Sequence, residues 1–298
     1  MLNFRRLREN SLFLLPSVIL TLVLGIYPLV WMLRYMFYDY VGYGDALFVG
    51  LDNFRRLLGD ALFWESVANT FIFAGGKLLI TLPLSLLLAV ILNGKLRGSN
   101  LLRGIYFMPT VISTAVISVV FYNIFNSYNG MVNQLLLKLH LISQPIDWLG
   151  PKHAMLTVII VAAWGAVGNY MLLFLAGLQS IPQDLYESAA IDGANSVKRF
   201  RHITLPMLAP VAQMVIMLAI IASLKGYESI MVITEGGPIG KTEVMYLYLY
   251  KLLFPVSTGS PVAQQFGYGS AVGFATALIV GAITGLYYFF SRKMNKVF

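Results

Sequence analysis

An all-α integral membrane protein with six transmembrane helices is the fold class this sequence predicts, on three observations. Of 298 residues, 58% are hydrophobic and 11% charged, against about 25% charged in soluble domains. The apolar residues gather in six runs, at about 12–32, 68–92, 106–125, 156–178, 207–224 and 267–290. Each approaches or exceeds the ~20 residues a helix needs to cross the hydrocarbon core. Alternation with period two in blocks of ~10 residues, the mark of a transmembrane barrel, is absent. No stretch outside these runs is long enough for a sizeable soluble core, so residues 1–298 read as one transmembrane domain with a polar segment at 180–206.

The first run follows a basic start but is of full spanning length, contains Pro16 and Pro28 and lacks a small-residue cleavage site. It predicts a permanent helix rather than a cleaved signal peptide. In the loop before the second run, Asp52 or Asn53 is expected to cap a short helix through Arg55 and Leu58. Between runs three and four, Val132, Leu135, Leu136 and Leu139 recur at helical spacing beside Asn133, Gln134 and Lys138. That pattern predicts a short helix lying on the outer membrane surface.

The polar segment between runs four and five reads as two short helices with a bend. Ser180 is expected to cap and Pro182 to open the first, Gly193 to end it, and Ser196 to cap the second before Pro206. Small Ser188, Ala189 and Ala190 would let another protein approach closely, and Phe200 and Ile203 would bury the base of the segment against the membrane helices. Acidic Asp184, Glu187 and Asp192 precede basic Lys198, Arg199 and Arg201. The last outer loop is turn-rich at Gly236-Gly237-Pro238 and from Pro255 to Pro261. Gly281 and Gly285 in the sixth run have the spacing of close helix packing, and Trp31, Tyr35, Trp148 and Tyr287 are expected as interface anchors.

A net charge of +8 raises nucleic acid as a partner, but the distribution excludes it. Twelve of the 21 Lys and Arg lie beside alternate span ends, among them Arg5, Arg97, Lys198 and Arg292, while seven lie on the opposite side. The positive-inside rule places both termini and the segment around Glu187 in the cytoplasm.

Catalytic and metal chemistry find no foothold. Cysteine is absent, which leaves the redox compartment open, and His140, His153 and His202 are scattered over loops without the spacing of ligands or of a nucleophile and its base. Gly240-Lys241-Thr242 looks like the end of a phosphate-binding loop, yet the required first glycine position holds Glu235. The chain is therefore not expected to be an enzyme. Ionisable Lys77, Lys225 and Glu228 fall inside spans, where a charge costs about 2.5–3.5 kcal/mol even on the lenient insertion scale. Lys225 and Glu228, three apart, are open to being a pair within one helix. Alternatively, Lys77, Tyr227 and Glu228 line a polar passage for a hydrated solute.

From Glu187-Ser188-Ala189-Ala190-Ile191-Asp192-Gly193-Ala194 through Phe200, Ile203, Leu205-Pro206 and Pro210, the sequence resembles the EAA motif of membrane subunits in binding-protein-dependent ABC importers. Serine at 188 replaces the usual alanine. The resemblance implies the type I ABC importer permease fold. It also implies a coupling helix seated in a cleft of an ATPase subunit, with Glu187, Ser188, Ala189, Asp192 and Gly193 as coupling residues. Gly50-Leu51-Asp52-Asn53-Phe54, Tyr106-Phe107-Met108-Pro109, Gly177-Leu178-Gln179-Ser180-Ile181-Pro182 and Tyr227-Glu228 to Pro238 look like stretches of carbohydrate permeases related to the larger maltose-transporter membrane subunit. The extra helices and large outer domain of that relative are missing here. The resemblance implies a pathway near Asn169, Ser223, Gly226 and Tyr227, to which the in-span charges add Lys77 and Glu228.

By the same resemblance the partners are a second homologous permease subunit forming a heterodimer, two ATPase subunits, an external solute-binding protein, a saccharide and membrane lipid. No cofactor is expected in this chain; ATP and Mg would be bound by the ATPase subunits. The expected location is a bacterial or archaeal cytoplasmic membrane. A permease for another solute class, an ion-coupled carrier working without ATPases, and a non-transport scaffold are the alternatives.

Overall fold

The computed structural model describes residues 14–94, 96–254 and 264–294, without the side chains of 292–294. The Pro255–Pro261 turn and most of the basic ends therefore lie outside the described residues. Among the described residues five helices are long and apolar enough to cross a membrane, and counting one bent pair as a single span makes six. The chain divides into two units, residues 1–61 with 249–278 and residues 62–248 with 279–298.

In the first unit, α1 (Leu14–Tyr35) is continuous but passes through a π turn at Thr21–Ile26, just before Pro28. Proline lacks the donor its turn needs and its ring crowds the carbonyl four residues back, which the wider turn relieves. The apolar window of α1 is exposed throughout, so lipid or another chain must cover it. A short hairpin of β1 (Tyr38–Asp39) and β2 (Leu47–Phe48) follows, in antiparallel register. The expected cap on α2 (Asp52–Gly59) does not form. Leu51 is the N-cap, Asp52 pairs with Arg55 at 3.0 Å, and Asn53 turns inward to donate to the carbonyls of Met36 and Tyr38, each at 3.0 Å. The asparagine thereby satisfies two backbone carbonyls at the end of α1 and in the hairpin. In the same unit the Tyr268 hydroxyl donates to Asp60, and the Arg56 guanidinium lies 3.9 Å from the centre of the Tyr268 ring.

The second unit is organised on α7 (Ala154–Gln179), the most buried of the spanning helices. Two apolar clusters form along it, one with Leu92, Met171 and Leu208, the other with Phe73, Val158 and Ile230. α3 (Ala61–Asn93) meets it through a hydrogen bond from Ser85 Oγ to the Val167 carbonyl, 2.9 Å.

The third span is not the single helix expected over 106–125. α4 (Ser99–Val111) and α5 (Thr114–Ile124) meet at 95° across extended Ile112 and Ser113. Pro109 removes one ladder bond in the last turn of α4. Ile112 and Thr114, the residues flanking the break, line a cavity, the setting in which non-helical backbone is tolerated at membrane depth. α4 packs along α7 because Gly168 presents no side chain to the Tyr106 carbonyl and Phe107.

α6 (Met131–Lys138) is the helix predicted between runs three and four, but Asn133 is not on a wetted face. It is 1% exposed, donates to the carbonyls of Ser127 and Ile146, and accepts from the Ile146 amide and the Trp148 indole. Trp148 is thereby committed to this knot. Asn133→Leu leaves those four groups without their partner and is expected to cost about 3 kcal/mol. Thermal unfolding in detergent checks this, and an unchanged midpoint would remove Asn133 from the framework. Gly281 and Gly285 of α13 (Phe266–Met294) do not mediate close packing within the chain, since a methyl added at either meets nothing within 4 Å.

Candidate functional site

The polar segment at 180–206 begins where α7 ends. Ser180 does not cap the next helix; its hydroxyl donates back to the Gly177 carbonyl at 2.8 Å, and Pro182 is the N-cap of α8 (Gln183–Ile191). α8 stops at Gly193, whose φ of +74° is the left-handed conformation glycine adopts without strain. Two return bonds close the end, Gly193 N to Ala190 O at 3.1 Å and Ala194 N to Ala189 O at 2.9 Å, which is a Schellman arrangement. α9 (Ser196–Arg199) is capped by Asn195, whose side chain accepts from Lys198 N at 2.9 Å. Asn195 rather than Ser196 takes the role because it stands one residue outside the helix in extended conformation.

No second break follows at Pro206. α9 runs through a π segment, Phe200–Thr204, into α10 (Leu205–Leu224), and that wider turn accommodates Pro206 inside the continuous helix. Ile203 packs against the α7 cluster, and the Tyr186 hydroxyl meets Thr204 Oγ1 at 2.9 Å, tying α8 to the π segment. Glu187, Ser188, Asp192 and Gly193 are exposed, Ala189 is half-buried, and apolar Ile191 and Val197 are 87% and 73% exposed. Two bare aliphatic side chains are thus flanked by acids and bases on one exposed surface.

At the other end of α10 the helix breaks. Lys225 closes it, Gly226 and Tyr227 are non-helical, and Glu228 opens α11 (Glu228–Ile233). Lys225 and Glu228 thus belong to two helices, which overturns their reading as a pair within one.

The break faces a cavity of about 500 Å³ between α3, α4, α5, α7 and α10–α11. It brings together Lys77, Asn169, Gly226, Tyr227 and Glu228, residues from three separate stretches of sequence. Ser223 is not among its lining residues; it is 1% exposed inside the helix packing, because its position on α10 turns it away from the break. Phe73, Tyr170 and Ser118 also line the cavity and were not anticipated. Ser118 is one of several hydroxyl residues in the third run, so nothing in the sequence singled it out, and its Oγ is buried without a hydrogen-bond partner among the described residues. Beyond the cavity, Thr234 and Thr242 join hydroxyls at 2.7 Å and Thr242 donates to the Gly237 carbonyl, so Gly240-Lys241-Thr242 is a tied turn.

The family model for the binding-protein-dependent transport system inner membrane component matches residues 81–296. The chain is 35% identical to the lactose transport system permease protein LacF of Rhizobium radiobacter, over 95% of this chain and 93% of that protein. It is equally identical, 35%, to the arabinooligosaccharides transport system permease protein AraP of Bacillus subtilis, over 90% and 84%. The trehalose/maltose transport system permease protein MalF of Thermococcus litoralis is 34% identical over 96% and 94%. Among solved structures, a chain of the bacterial alginate ABC transporter in complex with alginate pentasaccharide-bound periplasmic protein superposes with a TM-score of 0.84 at 24% identity, covering 99% of this chain and 97% of that one.

Proposed function

Since the chain belongs to the inner membrane component family of binding-protein-dependent transport systems, we propose that it forms half of the translocation pathway of an ATP-driven saccharide importer in a bacterial or archaeal cytoplasmic membrane. Saccharide permeases among its relatives support the solute class. Its partners are a second, homologous permease subunit, an external solute-binding protein and two ATPase subunits. Those ATPases hold ATP and Mg and carry out the hydrolysis.

One observation carries the mechanism. The docking segment and the cavity are joined by one helical run, from Ser196 through the π segment to Leu224, about 40 Å long at 1.5 Å per residue. Closure of the ATPases pushes Glu187, Ser188, Ala189, Asp192 and Gly193, and the displacement enters α10 at its base, where Ile203 and Thr204 seat it. At its far end the same helix carries Lys225 and Gly226 on the cavity wall. A rigid shift at the segment therefore re-aims the wall and alternates access.

The test is uptake by vesicles reconstituted with the four membrane and ATPase subunits and the binding protein, across a panel of saccharides. ATP- and binding-protein-dependent accumulation of a saccharide is the expected result. Accumulation without the ATPase subunits would identify an ion-coupled carrier instead.

A further inference from the structure

We propose that Lys77 makes this cavity selective for acidic saccharides, chains bearing uronate carboxylates, over neutral ones of the same size. The inference rests on the saccharide-permease reading and narrows it.

Lys77 projects from α3 and is 9% exposed, yet its ammonium makes no hydrogen bond and no ion pair within 4.0 Å to any of the described residues. Its neighbours are the Phe73 ring, whose centre is 6.0 Å from Nζ, and the more distant charge of Glu228. An ammonium carries three donors and is seldom left at membrane depth without acceptors. The side chain opens into the cavity, so a ligand or water must supply them.

The rest of the wall points the same way. Lys225 adds a second ammonium and Glu228 a single carboxylate, so the charged lining is net positive by one. Half-buried Tyr227 offers a ring against which a sugar face can stack, while buried Phe73, Tyr170 and Ser118 back the wall. At about 500 Å³ the space suits a short stretch of oligosaccharide. A neutral hydroxyl would give Lys77 an ordinary hydrogen bond. A carboxylate gives a charge-assisted one, roughly twice as strong, in a low-dielectric wall that amplifies the difference.

The experiment uses the complete reconstituted transporter with its binding protein. Probes are trisaccharides of galacturonate, glucuronate and mannuronate, each as the free acid and as the methyl ester that masks the charge, beside maltotriose. Binding-protein affinity for every probe is measured in parallel. Wild type is expected to import at least one free acid about tenfold more efficiently than its ester, with Lys77→Met abolishing that preference and Lys77→Arg retaining it.

Wild-type preference for esters or maltotriose, or a binding protein that takes only neutral sugars, would overturn the proposal while leaving saccharide import intact. Equal loss of all sugars in Lys77→Met, with normal assembly, would also overturn it, by showing Lys77 to be structural. Should Lys77→Met not assemble, the wild-type acid and ester comparison still decides. Failure to import any saccharide would instead sink the permease reading itself.

Discussion

Gly193→Val is expected to cut uptake at least tenfold while ATP hydrolysis continues, uncoupling the two. Gly193 ends α8 at φ +74°, and a side chain there costs about 1–2 kcal/mol, more when it is branched at Cβ. A penalty of that size lowers occupancy of the closed helix end about 5- to 30-fold. With the two return bonds weakened, α8 frays and the exposed face of Glu187, Ser188 and Asp192 loses its shape. The space around Gly193 is open, since a Cβ would meet nothing within 4 Å, so the defect is conformational rather than a clash within the chain. Gly193→Asn, which tolerates the left-handed conformation, should retain most coupling. Uptake and ATPase rates measured on the same vesicles distinguish the cases. Unchanged coupling in the valine variant would dismiss this segment as the contact with the ATPase.

The largest effect on folding is expected from Gly168→Leu. A Cβ at this position overlaps the Tyr106 carbonyl and comes within 2.9 Å of Phe107 Cα. Both are backbone atoms, which cannot rotate aside, so α4 must leave α7. The loss should exceed about 4 kcal/mol, the range reserved for overpacking and disrupted cores. Folded yield in detergent should collapse, while Gly75→Ala, where nothing lies within 4 Å of the added methyl, should fold as well as wild type. Normal yield of Gly168→Leu would mean that α4 and α7 do not approach as described.

The polar segment at 180–206 was largely legible because its signals are local. Gly193 as a terminator, Pro182 as an opening and the alternation of acids and bases follow from backbone conformation and short-range spacing. The differences there are shifts of one or two residues and one missed continuation: Pro182 is the N-cap where Ser180 was expected, Asn195 caps where Ser196 was expected, and the second helix passes Pro206 without stopping. A proline carried through on a π turn and a proline that ends a helix look alike until the direction of the following chain is known.

The cavity was legible only as a set of suspects. Charges placed in apolar runs marked Lys77, Lys225 and Glu228, because such placements are costly. Nothing in the spacing said that Ser223 turns inward to the packing, that Asn133 is the centre of a buried knot, or that Gly281 and Gly285 face open space.

Composition and periodicity by themselves settled the membrane class and located the apolar runs, since a hydrocarbon solvent admits few backbone solutions and each leaves a long, redundant signal. Tertiary structure alone decided the 95° break in the third span, the separation of Lys225 from Glu228 and the convergence of four distant stretches on one cavity. Those features depend on which face each helix turns to its neighbours. Side chains on a uniformly apolar helix give that choice almost no local preference, so it is made by packing around glycines such as Gly168.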